Sequence, residues 1–404
     1  MATSIKHDMP FKLLKERDFS LLLTGQFVSN LGDKIHYVAL GIWVFRLTGN
    51  PLAVGAMAIS TLLPYLLFGL LAGVYVDRWD KKRTMIICDL TRAGLVVLLP
   101  FAIHISLNLV YVITFLLTTV SLLFSPAKMA VIPALFQREK ILPATSLAES
   151  VENVTEIMGY AIAGVVTVLL SLDKVFYLDS LTFLVSALSI SAMSFRFEAP
   201  PKPEKTKVFA DIAQGMSFVA HNKTLLHVLA VYCLALLVFS GFNPLIFVYA
   251  LESLGTSNFG LGMLESMHAV GITVGGLALS FIGSKLSKGR LMVGGYLLSG
   301  VTIALLGAFP RYPLAVVGFF FTGLSNAMFL IPVQAIFQEL TPADLRGRVF
   351  AARFTLTRIA FMLSVGLLTY GASRTHVQTV YLASGVVLTV MSLLTFRLKS
   401  FKTI

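Results

Sequence analysis

The chain has 404 residues, of which 56% are hydrophobic and 13% charged, and its mean hydropathy is +0.84. A water-facing domain carries about one quarter charged residues, so this composition excludes a soluble globular protein. The net charge of +12 does not point to nucleic acid, because the basic residues fall in short clusters between apolar runs, with no continuous basic stripe and no nucleic-acid motif.

A bilayer core of about 30 Å takes roughly 20 apolar residues in a helix. Segments of that kind predict spans over 19–47, 52–76, 84–105, 109–135, 143–170, 175–195, 225–250, 259–284, 291–309, 313–338, 349–371 and 377–396. Met1 to Ser20 is polar and basic and leads into the first of these, which predicts a retained helix rather than a cleaved leader. Between the sixth and seventh spans lies the longest polar stretch, Arg196 to Lys223, with Pro200, Pro201 and Pro203 followed by Glu204, Lys205 and Lys207. Within it, Phe209, Ile212, Met216 and Val219 recur at helical spacing and predict a short helix lying at the membrane surface. The expected fold is therefore an all-α polytopic membrane protein of twelve transmembrane helices. An N-terminal six-helix bundle (1–196) and a C-terminal six-helix bundle (224–404) are joined by a cytoplasmic linker with an interfacial helix (197–223).

With the N-terminus placed in the cytoplasm, the loops on that side hold 23 Lys and Arg residues and the opposite loops only Arg46, Lys174, Arg311 and Arg374. Positive residues stay on the cytoplasmic side, so both termini are expected there. The two cysteines, Cys88 and Cys233, lie inside apolar runs and form neither a metal-ligand spacing nor a disulfide framework. No metal or cofactor is expected.

Gly73-Val-Tyr-Val-Asp77-Arg78-Trp-Asp80-Lys81-Lys82-Arg83, between spans two and three, resembles the signature loop of the major facilitator superfamily, with Asp80 where that loop usually has glycine. Gly283-Ser-Lys285-Leu-Ser-Lys288-Gly289-Arg290 is a weaker echo in the second bundle. The stretches from Phe124 through Pro126 and Lys128 to Pro133, from Leu142 to Leu147, and from Thr341 through Asp344, Arg346 and Arg348 to Phe350 resemble a bacterial exporter branch of that superfamily. That branch includes enterobactin exporters, macrolide efflux proteins and lysophospholipid transporters. The resemblance implies a major facilitator fold in a bacterial cytoplasmic (inner) membrane, working as a monomer among membrane lipids. It also implies a gating loop of Gly73, Asp77, Arg78, Lys82 and Arg83 that packs against the start of span eleven at Arg353 and latches the outward-facing state. Gly159-Tyr-Ala-Ile-Ala-Gly164 keeps the glycines of an antiporter signature in span five without its proline, and the same glycines serve simple helix packing.

An ionisable side chain at bilayer depth costs at least about 2.5 kcal/mol, so each needs a cavity, a partner or an interface. Asp33, near the middle of span one, is a candidate for taking up a proton or meeting substrate, and a permanent ion pair is its structural alternative. Glu149, Glu152, Asn153 and Glu156 lie on one stripe of span five and require a cavity or basic partners. Glu152, Asn153 and Glu156 are candidates for proton coupling or substrate contact, whereas Glu149 is close enough to the helix end to be solvated. Glu265 and His268, three residues apart, share a face of span eight and can exchange protons or simply hydrogen-bond locally. Asp89 and Arg92 read as a structural salt bridge in span three. Arg358 is deep in span eleven, and by sign alone it pairs with Glu152 or Glu156. Asp179 has no partner in the sequence. Asn243, Asn326 and Gln334 mark spans seven and ten as cavity walls.

Three functions follow in order. The first is secondary active, proton-coupled export of an amphipathic small molecule (a drug, macrolide or siderophore) by alternating access. The second is a lysophospholipid transporter or flippase. The third, an enzyme, finds no phosphate-binding loop, nucleophile elbow or metal-binding helix in the chain.

Overall fold

The computed structural model describes residues 10–76, 78–194, 208–282 and 286–397. After a short 3-10 turn, Pro10–Lys15, the first six helices are α1 (Arg17–Thr48), α2 (Pro51–Val76), α3 (Lys81–Ile105), α4 (Leu107–Leu135), α5 (Arg138–Leu169) and α6 (Leu172–Ser191). The linker helix α7 (Val208–His221) precedes α8 (Lys223–Phe239) and α9 (Phe242–Val248), which runs into a π-helical turn, Tyr249–Ser253. The remainder are α10 (Asn258–Ile282), α11 (Lys288–Ala308), α12 (Tyr312–Leu340), α13 (Arg346–Arg374) and α14 (Val377–Phe396). No strand occurs among the described residues.

Ten helical runs among the described residues are long and apolar enough to cross a membrane, with α8, α9 and the π-turn counted as one. Of the twelve expected spans, the exceptions are α1 and α5, which at 32 residues each are long enough but carry too much polar and charged side chain. The expected span over 225–250 proves to be discontinuous. Its helix breaks at Ser240–Gly241, where the Gly241 N–H leaves the helix ladder and donates to Ser364 Oγ of α13 at 2.8 Å.

Helix α1 packs between α5 and α6, α3 between α4 and α6, and α2 against α4. Beyond the linker, α10 and α11 flank α12, α11 pairs with α14, and α13 rests on α7 and α8. The two groups meet where α5 crosses α10 and α2 crosses α13. One end of the bundle is sealed. Arg46 of α1 donates to Asn258 Oδ1 of α10 at 2.7 Å, and Asn258 Nδ2 donates to the Thr167 carbonyl of α5 at 2.9 Å. Beneath this tie lies a buried apolar core that includes Val38, Ile42, Phe176, Leu245, Phe247 and Leu261. On the other side of the α5 midpoint, Glu149, Glu152 and Asn153 are exposed.

In the loop that resembles the superfamily signature, Asp80 has a local structural role. Asp80 is the N-cap of α3, and its carboxylate accepts the Arg83 N–H at 2.7 Å. That bond satisfies one of the orphan donors at the helix start. Ser287 does the same for α11 in the matching loop, accepting from the Arg290 N–H at 3.3 Å. Lys81 is buried and donates to the Val76 carbonyl at 2.6 Å, closing the end of α2, while Lys82 donates to the Met193 carbonyl beyond α6.

Candidate functional site

Asp33 is the seventeenth of 32 residues in α1, which at about 1.5 Å per residue places it roughly 24 Å from either end. It lines a cavity of about 430 Å³ together with Lys34, Lys128, Glu152, Glu156 and Asn243. The α5 carboxylates find basic partners from two other helices. Lys34 Nζ of α1 donates to Glu156 Oε1 at 3.0 Å and sits 5.0 Å above the Tyr160 ring, and Lys128 of α4 pairs with Glu152. Pro126 shortly precedes Lys128 within α4. Asn153 is exposed and is not part of the cavity lining. Asp33 makes no direct ion pair among the described residues. It stands within electrostatic reach of Arg92, Asp179, His36 and Lys34.

Behind Asp33, the interior of the first six helices holds a second set of charges. Asp179 is 1% exposed and accepts from His36 Nδ1 at 3.0 Å and from the Thr182 hydroxyl at 3.2 Å. Asp89 and Arg92 pair as expected for a structural bridge, and the Arg92 guanidinium is sandwiched by Phe124 and Phe183 at 4.6 and 4.4 Å from the ring centres. A buried charge that gains both a counter-ion and ring faces recovers part of its lost hydration.

A second cavity, of about 390 Å³, lies among α8 to α14. Both volumes fall in the range of small-molecule sites. Its walls are aromatic and aliphatic, with Glu265, His268, Arg353 and Arg358 as the ionisable groups beside Tyr232 and Tyr381. Asn243 lines both cavities, and its Oδ1 accepts from the Tyr37 hydroxyl at 2.7 Å, joining α1 to α9. Glu265 is 7% exposed and lies within electrostatic reach of Lys34 and Glu156 across this junction. His268 does not bond Glu265. Its Nδ1 meets Thr322 Oγ1 at 3.1 Å, and that hydroxyl lies 2.8 Å from the Phe319 carbonyl.

The pairing of Arg358 with Glu152 or Glu156 is overturned. Both glutamates are held by lysines, and Arg358 stacks instead between Tyr65 and Phe354, 4.9 Å from each ring centre. Arg353 likewise stacks on Phe337 and Phe350 and faces the second cavity. Of the expected gating loop, Gly73 falls within α2, Arg78 and Arg83 are exposed, Lys82 is tied to Met193, and Asp77 lies outside the described residues. Asn326 lines the second cavity, whereas Gln334 is exposed and does not. Lys34, His36 and Tyr37 are contacts of the candidate residues that the sequence does not single out. The signal for Lys34 is the α5 stripe itself, which demands cations from elsewhere in the bundle.

The glycines of span five are packing elements in this arrangement. Gly164 meets Gly262 of α10 backbone to backbone, and Gly159 lies under the Lys34 side chain. The close crossing of α5 and α10 is what brings Glu156 and Glu265 to the same junction.

The family model described as "transmembrane secretion effector" matches residues 9–403. The MFS-type transporter YfiS of Bacillus subtilis is 28% identical over 400 residues, covering 94% of this chain and 93% of that one. Macrolide efflux protein A of Streptococcus pyogenes is 23% identical over 373 residues, covering 91% and 92%. Among solved structures, the nucleoside transporter NupG superposes with a TM-score of 0.78 at 14% identity, over 95% of this chain and 100% of that one, which establishes a shared fold. These relatives are transporters, and the helices described above give a multi-pass membrane protein. The chain belongs to the transmembrane secretion effector family of MFS-type transporters.

Proposed function

We propose that this protein is a proton-coupled exporter of amphipathic small molecules of the drug, macrolide or siderophore kind, working by alternating access. In this reading twelve spans form two six-helix halves, 1–196 and 224–404, joined by a cytoplasmic linker. Both termini face the cytoplasm of a bacterial cell, and one chain is the working unit. A mid-membrane site between two such halves is the arrangement by which transporters of this architecture alternate access.

The observation that carries the proposal is the junction of the two cavities. There, Lys34–Glu156 from the first half and Glu265 from the second stand within electrostatic reach of one another, with Asn243 and Tyr37 bridging the halves. Protonation of Asp33 or Glu265, or release of Glu156 from Lys34, changes the charge at the place where the halves separate. A proton bound in one state and released in the other biases the two-state equilibrium by its differential affinity. The aromatic second cavity supplies an apolar surface for the body of the substrate.

The test is accumulation of a ligand panel in efflux-deficient cells, with and without collapse of the proton gradient. The panel holds drugs, a macrolide, a catecholate siderophore and a lysophospholipid, and the variants are Asp33→Asn and Glu156→Gln. Energy-dependent loss of one class, abolished in either variant, supports the proposal. Movement of the lysophospholipid alone, indifferent to the gradient and to both variants, replaces it with lipid transport.

A further inference from the structure

The two cavities treat charge differently. In the first, Glu156 is matched by Lys34 and Glu152 by Lys128. In the interior behind it, Asp89 is matched by Arg92 and Asp179 by His36. In the second cavity, two guanidiniums share one wall of α13, and among the described residues neither meets a carboxylate. Arg353 rests on Phe337 and Phe350, and Arg358 on Tyr65 and Phe354. The ionisable side chains that face them are Tyr232 for both and Tyr65 for Arg358. Glu265, the one acid of this cavity's lining, lies within electrostatic reach of Lys34 and Glu156 of the other.

Ring faces stabilise a guanidinium through its π-surface and leave the in-plane N–H fork free. A planar fork at mid-membrane depth, beside apolar rings and with no carboxylate partner among the described residues, fits a carboxylate or a phosphate oxygen pair. We infer that the second cavity binds the acidic head of an amphipathic organic anion, with Arg358 as the principal contact and Arg353 as its neighbour. The apolar body lies against Phe239, Phe329 and Phe361. The shared chemistry is an aromatic or aliphatic body with one anionic group, whether a soluble acid or a single-chain lipid headgroup supplies it. This inference rests on the exporter reading for its meaning as a substrate site, but its test does not need transport.

The full-length protein in nanodiscs of neutral lipid is titrated by equilibrium dialysis with three matched probes: naphthalene-2-carboxylate, 2-naphthamide and 2-naphthylmethylammonium. A fourth arm uses lysophosphatidylglycerol. The carboxylate is expected to bind about ten times more tightly than the amide, as one charge-assisted contact implies. Arg358→Gln removes that preference without weakening amide binding, and Arg358→Lys retains part of it. Competition between lysophosphatidylglycerol and the carboxylate extends the site to lipid headgroups, and its absence restricts the site to soluble acids; either result keeps the anion assignment. Equal binding of carboxylate and amide, preference for the ammonium, or an unchanged preference in an Arg358→Gln protein with a parental melting temperature overturns it. Carboxylate binding without gradient-driven efflux of any panel member would leave this site standing and the exporter reading refuted.

Discussion

The crossing of α5 and α10 sets a quantitative expectation for the equilibrium between conformations. A methyl group added at Gly262 would stand 2.6 Å from the Tyr160 carbonyl oxygen and 2.7 Å from Gly164 Cα. Carbon contacts are comfortable near about 3.5–4.0 Å, so the helices must part by about 1 Å at this point. The opposing atoms belong to backbone and cannot rotate away. Overpacking of this kind costs about 1–3 kcal/mol, charged against the state with this end sealed and not against a state in which the two groups of helices have parted there. The corresponding shift in the equilibrium is about 5- to 150-fold. Spin labels at Ser171 and Glu252, both exposed, report the separation at the sealed end by pulsed dipolar spectroscopy after Cys88 and Cys233 are replaced by serine. Gly262→Ala is expected to raise the long-distance population. Gly164→Ala, whose nearest contact would be 3.1 Å, should do so less, and Gly94→Ala, with nothing within 4 Å, not at all. A Gly262→Ala distance distribution that matches the parent's would show that this crossing does not hold the sealed end shut.

Three further outcomes follow from the same geometry. Lys34→Met and Glu156→Gln each break a half-exposed ion pair, so thermal stability should fall by less than about 1 kcal/mol while transport falls at least tenfold; a large melting shift would recast the pair as structural. Asp179→Asn should keep the Thr182 contact and lose the charge opposite His36, whereas Asp179→Leu strands the imidazole and should cost about 3 kcal/mol by urea or thermal unfolding; equal, negligible losses would argue against a structural pair there. Asp80→Ala removes the α3 cap and should lower stability by about 1 kcal/mol, with Asp80→Asn and Asp80→Ser retaining most of it; an unchanged melting temperature in the alanine variant would show that the cap is dispensable.

Composition and apolar runs are enough to read a helical membrane protein from the sequence, because lipid leaves a chain only a few ways to satisfy its backbone. The stripe of acids on α5 is also legible, since residues three and four apart share a helix face whatever the rest of the chain does. Asp89 and Arg92 are found by the same local rule. What is not legible are the partners. Glu156 is held by Lys34 from 122 positions away, and Asp179 by His36 from 143 positions away, and no periodicity links such residues. The break in the seventh span is foreshadowed by Pro244, which has no N–H for the Ser240 carbonyl four residues back, whereas the partner that takes up the Gly241 N–H, Ser364 of α13, is not legible. Pairing Arg358 with an acid by sign fails for a physical reason. A guanidinium can be stabilised on aromatic faces, so opposite charges at similar depth need not meet.

That failure bears on how the protein works. Had Arg358 paired with Glu152 or Glu156, the interior would have been closed to charge, a network satisfied in this conformation and costly to break in any other. Instead the acids of α5 are bound to lysines of α1 and α4 within the first six helices, so those pairs travel with that group as it moves. Glu265 is the exception, an acid of α10 whose nearest charges belong to α1 and α5. In the proposed alternating access its interaction must change, together with the Arg46–Asn258, Tyr37–Asn243 and Arg358–Tyr65 contacts between the two groups. Of the candidates named from sequence, Glu265 is therefore better placed than Asp33 to sense the relative position of the two groups. On the proposed proton-coupled reading, Asp33, which lines the cavity within electrostatic reach of the buried His36–Asp179 pair, is the candidate for proton exchange. Substituting Glu265 by Gln should accordingly alter the conformational equilibrium reported by the spin labels. Asp33→Asn should leave that equilibrium near the parent's and act on the pH dependence of transport. The reverse pattern would exchange the two roles.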